Sequence, residues 1–214
     1  MNSRSSLHRR TAAALTAGVA AVALAACGGS GSGSTGHVGH GATPSSASSA
    51  PASGPASQDR HNAADVAFAQ GMIPHHRQAV QMADLAPSRA ASPEVRKLAE
   101  DIEKAQDPEI RTLSEWLVSW GEKVPAEGAA DHSHHAGMEG MMSAEDMAAL
   151  GKSSGKAFDT AFLEMMIRHH EGAVTMAKAE RERGAYPAAT KMADAIAASQ
   201  SAEIAEMKRL LARD

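Results

Sequence analysis

The stretch MIPHHRQAVQMA, residues Met72–Ala83, returns as MIRHHEGAVTMA, residues Met166–Ala177. The two copies lie 94 residues apart. At that offset eleven of the nineteen positions from 65 to 83 are identical: Asp65, Ala67, Phe68, Met72, Ile73, His75, His76, Ala79, Val80, Met82 and Ala83. Without a gap the match continues, pairing Pro93 with Pro187, Ile102 with Ile196, Gln106 with Gln200, Glu109 with Glu203 and Leu117 with Leu211. Identity at one fixed offset over so long a span marks a duplicated unit.

Each copy reads as two helices around a short turn. The first helix spans roughly Asp59 to Ala86. The turn PSRAASP follows, and Ser92-Pro93-Glu94 supplies an N-cap, a first-turn proline and an early acid for a helix ending near Gly121. The second copy predicts helices from about Lys156 to Arg183 and from Pro187 to Arg213. Strand-forming runs are absent and aromatic content is 3%. The expected fold is all-α, a ferritin-like four-helix bundle built from two repeated helical hairpins, with up-down connectivity.

Advancing 100° per residue places Phe68, Met72, His75, His76, Ala79, Met82 and Ala83 on one stripe, so both histidines face the core. In the second helix Leu98, Ile102, Ala105, Leu113 and Trp116 share a stripe with Glu109 in its middle; Glu203 sits likewise among Met192, Ile196, Met207 and Leu210. Counting back from an antiparallel turn sets His76 level with Gln106 and Met72 level with Glu109, which predicts a polar layer across the core. Pro74 frees the carbonyl of Gln70 and predicts a local kink; Arg168 stands there in the second copy.

The rest of the chain is different. Residues 1–26 have a basic start (Arg4, Arg9, Arg10) and a run of small apolar residues, which reads as an export signal. Leu24-Ala25-Ala26-Cys27 resembles a bacterial lipoprotein box, which implies cleavage before Cys27, acylation of its sulfur and anchoring at the outer face of the cell membrane. As Cys27 is the only cysteine, disulfides and paired thiolate sites are excluded. Residues 27–58 are mostly Gly, Ser, Ala and Pro, the composition of a tether. The folded domain is thus expected over 59–214, with repeat one at 59–121, a linker at 122–155 and repeat two at 156–214. The net charge of −4 and the lack of basic, aromatic-studded segments argue against nucleic acid.

Burial disfavours the charged form of imidazole, and the neutral form coordinates metal. His75, His76, His169 and His170, with Met72 and Met166 beside them and Glu109 and Glu203 facing them, form a candidate core metal set. Soft thioethers are poor ligands for magnesium or calcium, and histidine with methionine in an exported domain favours copper, as Cu(I) or Cu(II). Zinc, which accepts imidazole and carboxylate, is the competitor. Iron fits less well, because the Glu-x-x-His spacing of di-iron bundles is missing. A purely structural His/Glu layer in a metal-free envelope interaction or stress protein is the alternative, since core methionines are usually packing residues.

Between the repeats, His132, His134, His135, Met138, Met141 and Met142 form a second candidate set in a Gly-bearing linker. Such a tract can gather copper without a fixed geometry. A short helix capped by Ser143 and anchored by Met147 and Leu150 should follow. Neither a nucleophile constellation nor a phosphate loop or dinucleotide fingerprint is present, so no enzymatic role is expected and no catalytic residue is assigned.

With FAQGMIPHHRQAVQMA, GMMSAEDMAAL and FDTAFLEMMIRHHEGAVTMA, the chain resembles the domain of unknown function 305 family of ferritin-like helical proteins over residues 59 to 212. The resemblance implies a ferritin-like bundle and, for some extracytoplasmic members, copper binding and copper tolerance. Its Met-Ile-x-His-His motif falls on Met72, His75, His76 and on Met166, His169, His170.

Overall fold

The computed structural model describes residues 60–126 and 139–213. The export signal, the tether with Cys27, and His132, His134, His135 and Met138 lie outside the described residues.

Among the described residues six helices follow in chain order: α1 (Ala63–Ala83), α2 (Ala86–Arg89), α3 (Pro93–Ser119), α4 (Ala144–Lys152), α5 (Gly155–Arg183) and α6 (Pro187–Leu211). Local chemistry sets their ends. Asn62 caps α1 by accepting from the amides of Ala64 and Asp65, and Asp65 returns the favour at the Asn62 amide. Ser92 caps α3 with Pro93 in its first turn. Ser143 and Asp146 form the same reciprocal cap on α4. At the far end of α3, Gly121 adopts φ +75°, and the amides of Glu122 and Gly121 bond back to Leu117 and Val118. That closure needs a left-handed residue.

The expected helices are present with modest shifts. α1 stops at Ala83, and part of the expected turn winds into α2. Helix α1 runs through Pro74 unbroken, and α3 runs through Pro108, which the sequence reading passed over. Among the described residues the only β feature is a single bridge between Ala90 and Gly155.

Helix α1 packs on α3, α5 packs on α6, and the two hairpins meet through α1 and α5. The helices carrying the paired histidines are therefore the ones at the centre. Two buried acids fasten this meeting. Asp65, at the start of α1, accepts from the amides of Ala185 and Tyr186 in the turn of the second hairpin, at 3.0–3.1 Å. Its repeat partner Asp159, at the start of α5, accepts from Ala91 and Ser92 in the turn of the first, at 3.1 and 2.8 Å. Each copy thus holds the turn of the other through the same aspartate.

The second copy adds Glu180, which stands where the first has Ala86 and is 2% exposed. Burial, and then the neighbouring Asp65, push its carboxyl up to about 8. Asp65 is displaced the opposite way: burial raises it, but Glu180 and the amides of Tyr186, Asn62 and Ala185 together hold it below its ordinary value. Glu180 has no donor on either oxygen, so it is the member of the pair that keeps the proton. A raised acid stabilises the fold fully below its unfolded value near 4.5, and that contribution is lost as pH rises through about 8. Unfolding midpoints in urea should therefore fall as pH rises from about 5 to about 8 and level off above, with a slope no steeper than about 1.4 kcal/mol per pH unit. Glu180→Gln should flatten that decline; an unchanged decline in the variant would place its origin elsewhere.

Among the described residues no helix is long and apolar enough to cross a membrane.

Candidate metal centre

The core is two apolar clusters with a polar layer between them. One cluster holds Ala79, Met82, Leu98, Ile102, Phe162, Met166 and Met207; the other holds Phe68, Met72, Ile73, Leu113, Leu117, Ala173 and Ile196. Along each long helix the change from one cluster to the other falls at the same place. It is His75-His76 in α1, Gln106 to Glu109 in α3, His169-His170 in α5 and Gln200 to Glu203 in α6. The predicted polar layer is there, and all four imidazoles are fully buried.

At its centre His75 of α1 meets His169 of α5, with ring centroids 3.7 Å apart and planes tilted by 41°. The outer two histidines turn to carboxylates. His76 Nε2 lies 2.7 Å from Glu109 Oε2, and His170 Nε2 lies 2.6 Å from Glu203 Oε2. The glutamates are partly open to water, with side chains 23% and 21% exposed. The register differs from simple counting, which put Gln106 opposite His76. Side chains lean toward the N-terminus of their own helix, so in an antiparallel pair the tips of His76 and Glu109 approach although their Cα atoms are not level.

Burial, followed by the neighbouring imidazoles His76 and His170, holds His75 down at about 3. His169 is likewise held well below its ordinary value by burial, then by His75, His170 and His76. Both rings are neutral at pH 7 and offer lone pairs. Among the described residues neither nitrogen of His75 or of His169 has a hydrogen-bond partner, nor do Nδ1 of His76 and His170 or Oε1 of Gln106 and Gln200. The Glu139 backbone is near enough to favour protonation of His75, but not in hydrogen-bond geometry. Unpaired buried polar atoms cost about 1–3 kcal/mol each. A native layer with so many asks for an explanation, and a bound ion is one.

The remaining candidates are placed as follows. Met72 and Met166 are fully buried, each in a different apolar cluster, on opposite sides of the histidine layer. Met141 is half-buried; Met142 is packed in the core at 8% exposure, with its sulfur 3.6 Å from the Arg168 guanidinium. Met142 thus belongs to the folded body and not to a loose linker. Ala105, expected on the apolar stripe of α3, is exposed. Among the described residues no three His, Cys, Asp or Glu side chains converge as a metal-holding group, so the core presents a central imidazole pair flanked by two His–Glu pairs. Such a pair suits a soft ion of low coordination number better than an octahedral one.

Sequence reasoning missed Gln78. Its side chain makes a two-way bond with the Met142 backbone, donating to the carbonyl at 2.9 Å and accepting from the amide at 2.7 Å. The signal was the repeat itself: position 78 corresponds to Gly172, one of the few inward-facing places where the copies differ.

A comparison with curated proteins gives no match. Among solved structures, a DUF305 protein from Streptomyces coelicolor, described as a secreted protein, is 34% identical with a TM-score of 0.64, covering 73% of this chain and 95% of that one. A DUF305 fragment from Deinococcus radiodurans is 32% identical, with a TM-score of 0.64 and coverage of 72% and 98%. CopM in its Cu(I)-bound form is 34% identical, with a TM-score of 0.59 and coverage of 70% and 96%; it is also known in Cu(II)-bound, Ag-bound and apo forms. The model of the family described as Domain of unknown function (DUF305) matches residues 65–211, all but the first two residues of the two-hairpin bundle, and the chain belongs to that family.

Proposed function

We propose that the chain is an exported copper-binding protein, a buffer or carrier and not a catalyst, anchored to the outer face of the cell membrane through a lipid on Cys27. The observation that carries the copper reading is the central pair: two buried, neutral imidazoles in contact, with all four ring nitrogens unpaired. CopM, at 34% identity, binds Cu(I), Cu(II) and Ag, which supports the same cargo here. His75 and His169 would be the inner donors. His76 and His170 present Nδ1 to the same layer, while Glu109 and Glu203 fix their rings by bonding Nε2. Met72 and Met166 are the nearest thioethers in sequence, one on each side. The linker residues His132, His134, His135, Met138 and Met141 would gather copper outside the core.

The second reading, a structural layer in a metal-free envelope protein, is favoured by the two short His–Glu bonds, which satisfy one nitrogen of each outer histidine without any ion. It leaves the inner pair unexplained. Copper titration of the full chain against a variant with His132, His134 and His135 changed to serine separates core from linker. The expected outcome is loss of the weaker equivalents with retention of one tight, core-bound equivalent. Loss of all bound copper in that variant would contradict a core site.

A further inference from the structure

Buried donors raise the question of how an ion reaches them. Four long helices carry the layer, and among the described residues a short non-helical segment, residues 139–143, just ahead of α4, bridges α1 and α5. Its backbone lies directly on the histidine helices. A Cβ on Gly140, which sits at φ +86°, would come within 2.6 Å of the Arg168 carbonyl oxygen and 3.0 Å of that of His169. A Cβ on Gly172 would overlap the Glu139 carbonyl outright. The Glu139 backbone is also beside the His75 ring.

The two copies of the repeat diverge where this segment lands. Position 78 in the first copy is Gln78, whose amide grips Met142 by two hydrogen bonds; the corresponding position in the second is Gly172, where the lack of a side chain lets Glu139 and Gly140 close down. Pro74 in the first copy corresponds to Arg168 in the second, whose guanidinium reaches the Met142 sulfur. A duplicated hairpin has thus been altered at matching positions to seat one strap.

We infer that residues 139–143 are the door to the buried imidazole pair, and that Gln78 and Gly172 are the positioning residues that keep it shut. The inference rests on the copper reading of that pair. Among the described residues the strap is held by two hydrogen bonds to Gln78, the Met142 side chain and close backbone packing on α5, whereas the helices beside it are hydrogen-bonded along their length, so the strap is the part expected to open first by local unfolding. Opening it uncovers His75 and His169 without separating α1 from α5. Sealed, the strap keeps water and competing chelators from the ion.

The test uses the full chain with Cu(I) and a chromogenic Cu(I) chelator as competitor, comparing wild type with Gln78→Leu, which removes both strap bonds, and Gly172→Ala, which displaces Glu139. Hydrogen exchange at the Met142 amide reports the strap independently of metal, and circular dichroism checks that each variant is folded. Both variants should speed Met142 exchange and copper transfer to the chelator by about tenfold or more, with the copper stoichiometry unchanged. If either folded variant frees the Met142 amide but leaves the transfer rate at the wild-type value, the door is refuted. Unaltered Met142 exchange in both would equally overturn it. Failure of the copper reading looks different: wild type itself would hold no chelator-resistant copper that depends on His75 and His169.

Discussion

Replacing His75 and His169 together by alanine is expected to abolish the tight copper equivalent of the folded domain. The two rings are the pair in contact at the centre of the layer, whereas His76 and His170, although each keeps a free Nδ1, are held at Nε2 by Glu109 and Glu203. Partners behind metal ligands typically cost about 10–100-fold in affinity when removed, and loss of two direct donors should exceed that. By contrast, Glu109→Gln with Glu203→Gln should weaken copper only within that smaller range, because an amide still orients the outer rings. Competition against a calibrated Cu(I) chelator measures both. Equal losses in the two double variants would point to the His–Glu pairs, and not the central pair, as the site. The alanine variant has a second use. If it lost no copper while its stability rose, the layer would be a structural compromise and not a binding site.

The largest effect on stability is expected at Asp65. Its carboxylate accepts from the amides of Asn62, Ala185 and Tyr186, joining the start of α1 to a turn 120 residues away. Asp65→Ala strands those donors, for a loss of about 2–4 kcal/mol. Asp159→Ala strands two donors, Ala91 and Ser92, and should cost less, about 1–3 kcal/mol. Urea unfolding followed by circular dichroism gives both numbers. A loss below about 1 kcal/mol at Asp65 would mean that water satisfies the turn as well as the carboxylate does.

Much of this was legible in the sequence, because hydrophobic periodicity and an internal repeat are both strong signals. The offset of 94 gave the two hairpins, Ser92-Pro93 and Ser143 marked real helix starts, and the wheel put His75 and His76 inside, a placement that the repeat extends to His169 and His170. What was not legible depends on side-chain direction and on contacts between distant segments. The facing of His76 by Glu109 turns on the lean of side chains along antiparallel helices, which counting residues from a turn ignores. Asp65 and Asp159 stood out only as matched letters; that each holds the other copy's turn requires knowing that α1 and α5 lie side by side. Met142 looked like one of several linker methionines, and nothing in its neighbourhood announces that Gln78 and Arg168 pin it to the core. Differences between the repeats carried that information, while attention to their identities concealed it.

The most direct test of the inner imidazole pair as the copper site is X-ray absorption at the copper edge on full-length protein loaded with one equivalent of Cu(I). The expected spectrum shows outer-shell scattering from two imidazole rings, and that scattering disappears in the His75→Ala, His169→Ala double variant. A first shell made of sulfur alone, or an imidazole signal that survives the double substitution, would contradict a copper site built on His75 and His169.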